Sequence, residues 1–374
     1  MKEFAVTTRE KVRRIDYVII FCIVTMSLMS VVTLAGAADK YGDSFYKTQL
    51  ISIVMGIVIM CGVSMIDYDS LISKMKVVFF FVSLGLLAVV IIWGKGELGN
   101  NNWIKIPGIP FYIQPTEFVK ITYVICLALH VDRLKKKINR LWSVVQLAIH
   151  ILLVVGLVLL SGDLGMALVY IAMAVVMLFS AGLSLWYFAL VIGVAVIAFP
   201  FIWNYMPLYQ QQRILVGFNP DLDPLDKGWQ AIASRKCIIA GGFRGAGYDG
   251  GIQYFGLVHG QSDFLFSVMA EKFGFIGTFS YIVLMVVLVL RILAVARNSR
   301  KTYASYICMG MAGMLIAQTA ENIGMCLAML PVVGITLPFF SYGGSSMLSM
   351  YICMGVVQSI AAHNKKYYFE RELS

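Results

Sequence analysis

The residue best placed for chemistry in this sequence is Asp263, which ends a long polar segment, residues 204–263, and directly precedes the apolar run FLFSVMA. Polar groups beside an apolar region are costly unless they are used, so we expect functional residues in this segment. A carboxylate next to Gln261 and Ser262 can act as a general base that takes a proton from a substrate hydroxyl. Asp263 can equally cap the helix that follows, and one residue can do both.

Basic side chains in the same segment suit an anionic ligand. Arg213, Arg235, Lys236 and Arg244 all lie within residues 204–263. Several cations together attract a negatively charged group, although any single one can be a solvated loop charge. Residues 230–239 alternate polar and apolar side chains, which predicts a helix lying on a membrane surface.

A second group of polar residues lies inside apolar stretches. Glu117 and Lys120 are three positions apart, so a helix places both on one face. Isolated charges in an apolar setting are expensive, and we therefore expect these two to form an ion pair that faces the interior. The pair can brace helices or contact a substrate directly. Gln318, Glu321 and Asn322 occupy adjoining helical turns and should also face inward.

The sequence LPVVGITLPFFSYGGSS carries the third candidate group, which includes Ser341. Gly343, Gly344, Ser345 and Ser346 open the last apolar helix with small residues whose free backbone amides suit a bound phosphate. Small residues here also permit close packing between helices. The sequence is compatible with both phosphate binding and helix packing.

The elements that position these groups are apolar helices. Of the 374 residues, 60% are hydrophobic and 13% are charged, and the mean hydropathy is +0.82, which is typical of a polytopic membrane protein. A helix needs about 20 apolar residues to cross the hydrocarbon core of a bilayer. Ten stretches approximately meet this requirement: 16–36, 47–66, 77–93, 116–131, 142–160, 164–181, 185–203, 264–290, 303–330 and 338–361. The sequence therefore predicts an all-α fold in which residues 1–374 form a single integral membrane domain with ten transmembrane helices.

The distribution of Lys and Arg predicts the orientation, because short cytoplasmic loops are enriched in both. Basic clusters occupy the amino terminus, the connections at 74–76, 133–140 and 291–301, and the carboxyl terminus. These positions share one side if the spans alternate from a cytoplasmic start. Both termini are therefore predicted to be cytoplasmic, and the large loop 204–263, between helices 7 and 8, to be extracellular.

Composition also argues against several classes of protein. The net charge of +10 is explained mostly by the clusters on one side, and no basic surface with interleaved aromatic residues indicates nucleic-acid binding. Most of the 7 cysteines lie in predicted spans and the 4 histidines are scattered. We therefore predict neither a disulfide framework nor a metal site made of protein ligands.

Four motifs together resemble those of the SEDS family, which contains RodA, FtsW and SpoVE. They are SYGGSS after LPVVGITLP, QPTEFVK at the start of the fourth span, SGDLG between the fifth and sixth, and QQQRILVGFNPDLDP in the large loop. The resemblance covers essentially the whole chain. It implies a peptidoglycan glycosyltransferase that polymerises lipid II into glycan strands at the outer face of the bacterial cytoplasmic membrane, paired with a class B penicillin-binding protein that crosslinks them.

The resemblance also implies roles for individual residues. Asp263 matches the catalytic aspartate of the family. The residues implied in substrate binding are Arg213, Arg235, Glu117, Lys120, Ser341, Gly343, Gly344, Ser345 and Ser346. A departing lipid diphosphate requires positive charge, which Arg213, Arg235, backbone amides near Gly343 or a bound divalent cation, Mg²⁺ or Mn²⁺, would supply. No other cofactor is expected.

Two other functions are compatible with the sequence. Polar groups inside the spans, such as Glu117 and Gln318, also suit a flippase that moves lipid II across the membrane. A scaffold that only recruits or activates a penicillin-binding protein is the third hypothesis. Within the family, LPVVG favours RodA whereas GITLPF favours FtsW and SpoVE, so elongation, division and sporulation all stay open.

Overall fold

The structure is a computed structural model that describes residues 15–94, 102–104, 113–226 and 228–363. Regular structure in these ranges is helical, apart from one β-bridge that joins Ile104 and Ile113, in agreement with the all-α prediction. Short 3₁₀ helices cover Lys135–Lys137, Pro220–Leu222 and Gln253–Gly256. In chain order the α-helices are α1 (Tyr17–Gly36), α2 (Ala38–Tyr41), α3 (Asp43–Met65), α4 (Tyr68–Trp93), α5 (Pro115–Leu134), α6 (Leu141–Leu160), α7 (Leu164–Ser180), α8 (Leu185–Tyr205), α9 (Leu208–Phe218), α10 (Trp229–Gly241), α11 (Leu265–Asn298), α12 (Thr302–Cys326) and α13 (Gly344–Ala362).

Each predicted apolar stretch coincides with one long helix, and the main differences lie at the ends. α4 begins at Tyr68 instead of residue 77, because the Asp67 carboxylate accepts a hydrogen bond from the Asp69 N–H at 3.1 Å and caps the first turn. α11 continues past residue 290 to Asn298 and is kinked at Gly274, whose φ is 63°. Apolar length locates a helix well, but its ends depend on such local groups.

The connection between α12 and α13 is longer than predicted. α12 ends at Cys326 instead of residue 330, and α13 begins at Gly344 instead of residue 338. Ala328 and Phe339 both have a φ of 58°, which is incompatible with a right-handed helix. Residues 327–343, here called the closing loop, are therefore available to build a site.

Seven helices among the described residues are long and apolar enough to cross a membrane: α1, α3, α4, α6, α8, α11 and α13. α7 is apolar but has 17 residues. α5 and α12 carry the polar residues predicted to face inward. Length and hydropathy alone thus support fewer spans than the ten predicted.

The core of the bundle surrounds α13. Most side chains of α13 are buried, and this helix packs along α3. α12 packs against α7 and α11, α4 packs against α5, and α10 packs against α11. By contrast, no described side chain of α8 is buried. The polar residues of α5 and α12 therefore lie inside the bundle, whereas the apolar α8 lies at its periphery.

The large loop is partly helical, and the predicted helix at residues 230–239 is present as α10. One face of it, with Ala233, Cys237 and Gly241, is buried against the bundle, and its place on a membrane surface stays a prediction. A Cβ at Gly241 would lie only 1.8 Å from the carbonyl oxygen of Ala270 in α11. Small residues permit this contact, which makes α10 a packed helix.

The end of the bundle remote from Asp263 is fixed by Asp16. Its carboxylate accepts hydrogen bonds from the N–H groups of Val18 and Ile19, at 3.1 and 3.3 Å, and caps α1. Arg291 of α11 donates to the same carboxylate at 2.6 Å. The side-chain amide of Gln358 in α13 exchanges two hydrogen bonds with the Asp16 backbone. Three helices are tied together at this end.

Candidate active site

Two loops meet at one end of the bundle, with Asp263 between them. The Tyr342 N–H of the closing loop donates to the Gln261 carbonyl at 3.1 Å. From α12, the Asn322 amide donates to the backbone carbonyls of Asp263, at 2.8 Å, and Ile335, at 2.7 Å. One side chain therefore holds both loops, and the backbone of Asp263 has a fixed position.

The prediction that Asp263 caps the next helix is wrong. α11 begins at Leu265, its N-cap residue is Phe264, and no side chain caps it. His259 explains the difference, because its φ is 55° and its carbonyl accepts from the N–H groups of residues 262, 263 and 264 at 3.1, 3.1 and 3.5 Å. This tight turn directs the chain into α11 and leaves the Asp263 carboxylate free of a capping role.

The carboxylate of Asp263 lies against the closing loop. A Cβ at Gly334 would be 3.4 Å from Asp263 Oδ2, and the φ of Gly334 is 71°, a conformation that favours glycine. Asp263 is partly exposed, yet burial raises the pKa of its carboxyl group above the usual value, against smaller opposing effects of His259 and Ser262. A carboxylate with a raised pKa is a better base than one in water.

The predicted ion pair between Glu117 and Lys120 is confirmed. Lys120 Nζ lies 2.7 Å from Glu117 Oε2, and the two side chains are 0% and 1% exposed. Ser349 of α13 donates to the same oxygen at 2.8 Å, and Lys120 donates to Gln318 of α12 at 3.3 Å. Glu117 Oε1 has no partner among the described residues. The pair joins α5, α12 and α13, which agrees with a brace between helices.

The serines of SYGGSS are engaged within the protein. Ser341 Oγ accepts from the Leu337 N–H at 2.8 Å, Ser346 Oγ and Thr336 Oγ1 share a hydrogen bond at 2.7 Å, and Ser345 Oγ accepts from the Gln114 N–H at 3.3 Å. These bonds favour the packing interpretation for the hydroxyl groups. Gly343 is the N-cap of α13 and Gly344 its first residue, with no side-chain cap. Gly344, Ser345 and Ser346 are buried, whereas Gly343 is partly exposed.

Gln114 connects this motif to Asp163, a link that the sequence did not predict. Gln114 Nε2 donates to Asp163 Oδ2 at 3.0 Å, while the other Asp163 oxygen accepts from the Met166 N–H at 3.0 Å and caps α7. Burial raises the pKa of Asp163 to about 6, although the bond from Met166 opposes this. Glu321 of α12 has a buried oxygen, Oε2, without a partner in the described part of the chain. Raised carboxyl pKa values at Asp163 and Asp263 are typical of a functional site.

The two arginines predicted to bind substrate lie on helices of the large loop. Arg235 is in α10, and its guanidinium group lies 3.5 Å from the carboxylate of Asp221, with both side chains partly exposed. Arg213 is in α9, and its side chain lies outside the described residues. One turn further on, Gly217 packs so closely on Pro331 of the closing loop that a Cβ would be 2.4 Å away. Among the described side chains, no cation forms a salt bridge with Asp263.

Glu271 and Lys272 of α11 fix the large loop, a role that the sequence analysis missed. Glu271 accepts from the N–H groups of residues 252, 253 and 254, each at 2.7 Å. Lys272 donates to the carbonyls of Tyr248 and Gly250, each at 3.0 Å. Both side chains are buried. The available signal was a pair of charges, AEKFG, within an apolar helix. These bonds hold residues 248–254 of the large loop against α11.

The site offers no ready-made cage for a metal ion. Across the ranges that the structure describes, no group of three or more His, Cys, Asp or Glu side chains is placed to hold one. Mg²⁺ often binds through one or two carboxylates plus substrate phosphates and keeps several waters. The arrangement therefore fits an ion that arrives with a diphosphate better than an ion held by protein alone.

Proteins of known sequence share this chain's features over nearly its full length. The model of the family described as cell cycle protein, which unites FtsW, RodA and SpoVE, matches residues 13–366. A probable peptidoglycan glycosyltransferase FtsW of Trichlorobacter lovleyi is 33% identical over 361 residues, covering 93% of either chain. The stage V sporulation protein E of Bacillus subtilis is 32% identical over 358 residues, covering 93% of this chain and 96% of that protein.

Solved structures share the fold as well. RodA of Thermus thermophilus is 26% identical, with a TM-score of 0.72 over 94% of this chain and 98% of that one. A chain from a peptidoglycan synthase complex, in which polymerization and crosslinking are coordinated, is 28% identical, with a TM-score of 0.79 over 94% of this chain and 99% of that one. With its long apolar helices, the chain is a multi-pass membrane protein. It belongs to the SEDS family of cell cycle proteins, which unites FtsW, RodA and SpoVE.

Proposed function

We infer that the chain is a peptidoglycan glycosyltransferase that polymerises lipid II into glycan strands. The observation that carries this inference is the carboxylate of Asp263, which is fixed in position, partly exposed and raised in pKa where two loops meet. The FtsW relatives named as probable peptidoglycan glycosyltransferases align with nearly the whole chain. Family membership supplies the substrate class, and the geometry supplies the base.

The reaction requires a base that deprotonates the acceptor sugar. Asp263 takes the proton of the acceptor hydroxyl while its oxygen attacks the anomeric carbon of the donor. As the new glycosidic bond forms, the bond to the diphosphate breaks, and the polyprenyl diphosphate leaves with the electron pair. Attack opposite to the leaving group inverts the anomeric centre. General-base catalysis of this kind contributes about 10²–10⁴-fold to a rate.

Positive charge near the diphosphate is the second requirement. We assign it to Arg213, Arg235 and the backbone amides near Gly343. The pair between Arg235 and Asp221 is exposed, and exposed ion pairs contribute little, so a phosphate can displace the carboxylate. A divalent cation carried by the diphosphate would supply further charge at the leaving group.

Glu117 and Lys120 have a different role in this proposal. Because Lys120 is fully buried and paired, it is not available to a phosphate in the aqueous part of the site. The pair braces α5 against α12 and α13, the two helices that flank the closing loop. Its effect on catalysis is therefore to position the loops around Asp263.

The proposed setting is the bacterial cytoplasmic membrane, crossed by ten helices. To the seven helices supported by length and hydropathy we add α5, α7 and α12, whose polar or short segments are shielded inside the bundle. With the basic clusters inside, both termini are cytoplasmic. The large loop and Asp263 then face outward, at the surface where lipid-linked sugars would be joined.

The proposed partner is a class B penicillin-binding protein. A chain of similar structure comes from a peptidoglycan synthase complex that coordinates polymerization and crosslinking. Strands made at Asp263 need an enzyme that crosslinks them close to their point of synthesis. Lipid II is the proposed substrate, and nucleic acid is not expected as a ligand.

The test compares the rates at which purified wild type, Asp263→Ala and Asp226→Ala polymerise lipid II. Each protein is measured alone and with the partner. Asp226 is an exposed carboxylate of the same loop and serves as the matched control. We expect Asp263→Ala to lose at least about 100-fold in rate and Asp226→Ala to match wild type. Equal thermal unfolding of the three proteins would show that the loss is catalytic. Unchanged polymer from Asp263→Ala would remove Asp263 as the base.

The same proteins test the two other hypotheses. A flippase would translocate labelled lipid II across reconstituted vesicles without forming polymer. A scaffold would function without the carboxylate, so Asp263→Ala would complement a deletion strain. The glycosyltransferase hypothesis predicts polymer from wild type and failed complementation by Asp263→Ala.

A further inference from the structure

A pocket of ≈ 280 Å³ lies at the other end of α5 from Glu117, where α4, α5 and α6 meet. Its lining includes Lys76, His130, Arg133 and His150. α5 has 20 residues and is therefore about 30 Å long. The pocket is thus separate from the site around Asp263, and the proposed reaction makes no use of it. We call it the basic pocket.

The basic pocket has an excess of positive charge. Lys76 and Arg133 line it and also line an adjoining recess of ≈ 230 Å³. Neither forms a salt bridge with any described residue. The recess also contains two carboxylates, but each has a lysine of its own. The pairs are Asp69 with Lys301 at 3.5 Å, and Asp132 with Lys135 at 2.8 Å. Lys76 and Arg133 are therefore the two cationic lining residues that no carboxylate of the described residues pairs with.

The two histidines form a hydrogen-bonded pair in the same lining, and His130 also hydrogen-bonds the Gln146 side chain. His130 Nδ1 and His150 Nδ1 are 3.1 Å apart, and the rings stack with centroids at 5.4 Å. When two neutral rings bond through both Nδ1 atoms, one accepts, and that ring carries its own proton on Nε2. Cys126 also lines the pocket, but within the described residues no group of three such side chains is placed to hold a metal ion. Lys76 and Arg133 would repel a metal cation and attract an anion.

The remaining wall of the pocket is apolar and opens toward the outside of the bundle. Val77, Phe80 and Leu129 line it, and Val77 is 58% exposed. α4 continues this surface with few buried residues, as expected of a helix that faces acyl chains. A ligand that fits both parts has a negatively charged head and a hydrocarbon tail.

We propose that the basic pocket binds the phosphate headgroup of an anionic phospholipid, with the acyl chains lying along α4. Basic pockets between transmembrane helices on the cytoplasmic side recognise such headgroups through charge and hydrogen bonds. In the proposed orientation the lipid comes from the inner leaflet. The site is independent of the reaction at Asp263, so its failure would leave the proposed function untouched.

The test measures lipid retained by the full-length protein. Wild type is placed in nanodiscs that contain equal amounts of phosphatidylcholine and phosphatidylglycerol. A mass spectrometer then releases the protein from the nanodiscs, and the molecules of each lipid that stay bound to it are counted. The test variant is Lys76→Gln with Arg133→Gln. The control variant is Lys136→Gln with Lys137→Gln, which removes two exposed charges at the same end but outside the pocket. A third variant, Lys76→Arg with Arg133→Lys, keeps both charges in place.

We expect wild type and the control variant to retain phosphatidylglycerol preferentially. The test variant should lose about thirtyfold in this preference, since each basic residue near an anionic surface contributes a factor of about five. The charge-keeping variant should retain most of it. The proposal would be overturned if wild type retained the two lipids equally. It would also be overturned if the control variant lost as much of the preference for phosphatidylglycerol as the test variant.

Inorganic phosphate provides the second arm, because a free anion could use the same cations. Titration of detergent-solubilised wild type with phosphate should show much weaker binding than titration with phosphatidylglycerol, since the acyl chains contribute to the lipid alone. Phosphate that binds as tightly as the lipid would assign the pocket to a soluble anion and would overturn the lipid proposal.

Discussion

At the scale of single residues, the proposed role of Asp263 as the base makes its protonation set the pH range of the reaction. A base must be ionised, and burial raises the pKa of this carboxyl group above its usual value of 3.8. We therefore expect polymerisation to decline as the pH falls, with a midpoint above that value. Initial rates of lipid II polymerisation, measured across the acidic range, check this. A polymerisation rate that stays constant as the pH falls to 3.8, the usual pKa of an aspartate, would contradict this prediction.

A variant of His259 gives this prediction a second readout. His259 partly offsets the effect of burial by lowering the pKa of the Asp263 carboxyl group. His259→Gln should therefore move the acidic limb of the rate profile to higher pH, while Asp226→Ala should leave it in place. A shift in the opposite direction would show that another group controls the limb.

Gly334 limits the space beside the same carboxylate. Its φ of 71° is unfavourable for any residue with a Cβ, and that atom would sit 3.4 Å from Asp263 Oδ2. We expect Gly334→Ala to lower stability by about 1–2 kcal/mol and to reduce the rate, because relief of the unfavourable φ would shift the part of the closing loop that lies against the base. Thermal unfolding and polymerisation measure the two effects. Gly156→Ala is the control, because nothing lies within 4 Å of a Cβ there. An unchanged rate in Gly334→Ala would show that the carboxylate tolerates a neighbour.

At the scale of helices, the Glu117–Lys120 pair can be separated into brace and ligand by a double-mutant cycle. Glu117→Gln or Lys120→Met alone leaves a buried charge unpaired, which costs about 3–5 kcal/mol. The double variant removes both charges and should cost less than the two single changes together. If the pair only braces the helices, the double variant should regain both stability and activity relative to the single variants. Recovered stability without activity would instead indicate direct contact with substrate.

The same scale shows what the sequence alone could predict. The helices follow from apolar length, and the Glu117–Lys120 pair follows from spacing on one helical face. The prediction that Asp263 caps a helix failed because a non-glycine residue, His259, adopts a positive φ, which the local sequence does not predict. The bond from Asn322 to the Asp263 carbonyl spans 59 positions, so it depends on tertiary packing. Spacing predicts contacts within a helix, whereas the meeting of two loops requires the folded bundle.

At the scale of the whole molecule, the two ends of the bundle have different chemistry. One end combines Asp263, Asp163 and the first turn of α13 with a large ordered loop. The other carries the basic clusters, the Asp16–Arg291 salt bridge and the basic pocket. In the proposed orientation, a membrane between the two ends would place sugar chemistry on one surface and the anionic lipid of the basic pocket on the other. This asymmetry makes orientation the central property to measure.

Orientation can be tested by labelling with a maleimide that does not cross membranes. Leu225→Cys places a thiol in the large loop, where the side chain is 87% exposed, and Lys136→Cys places one in the 3₁₀ helix between α5 and α6. Intact cells should label Leu225→Cys at once and Lys136→Cys only after permeabilisation. The parent protein gives the background from its own cysteines, of which Cys61 is exposed. Labelling of Lys136→Cys in intact cells would reverse the orientation and place Asp263 in the cytoplasm, where it could not extend glycan strands outside the cell.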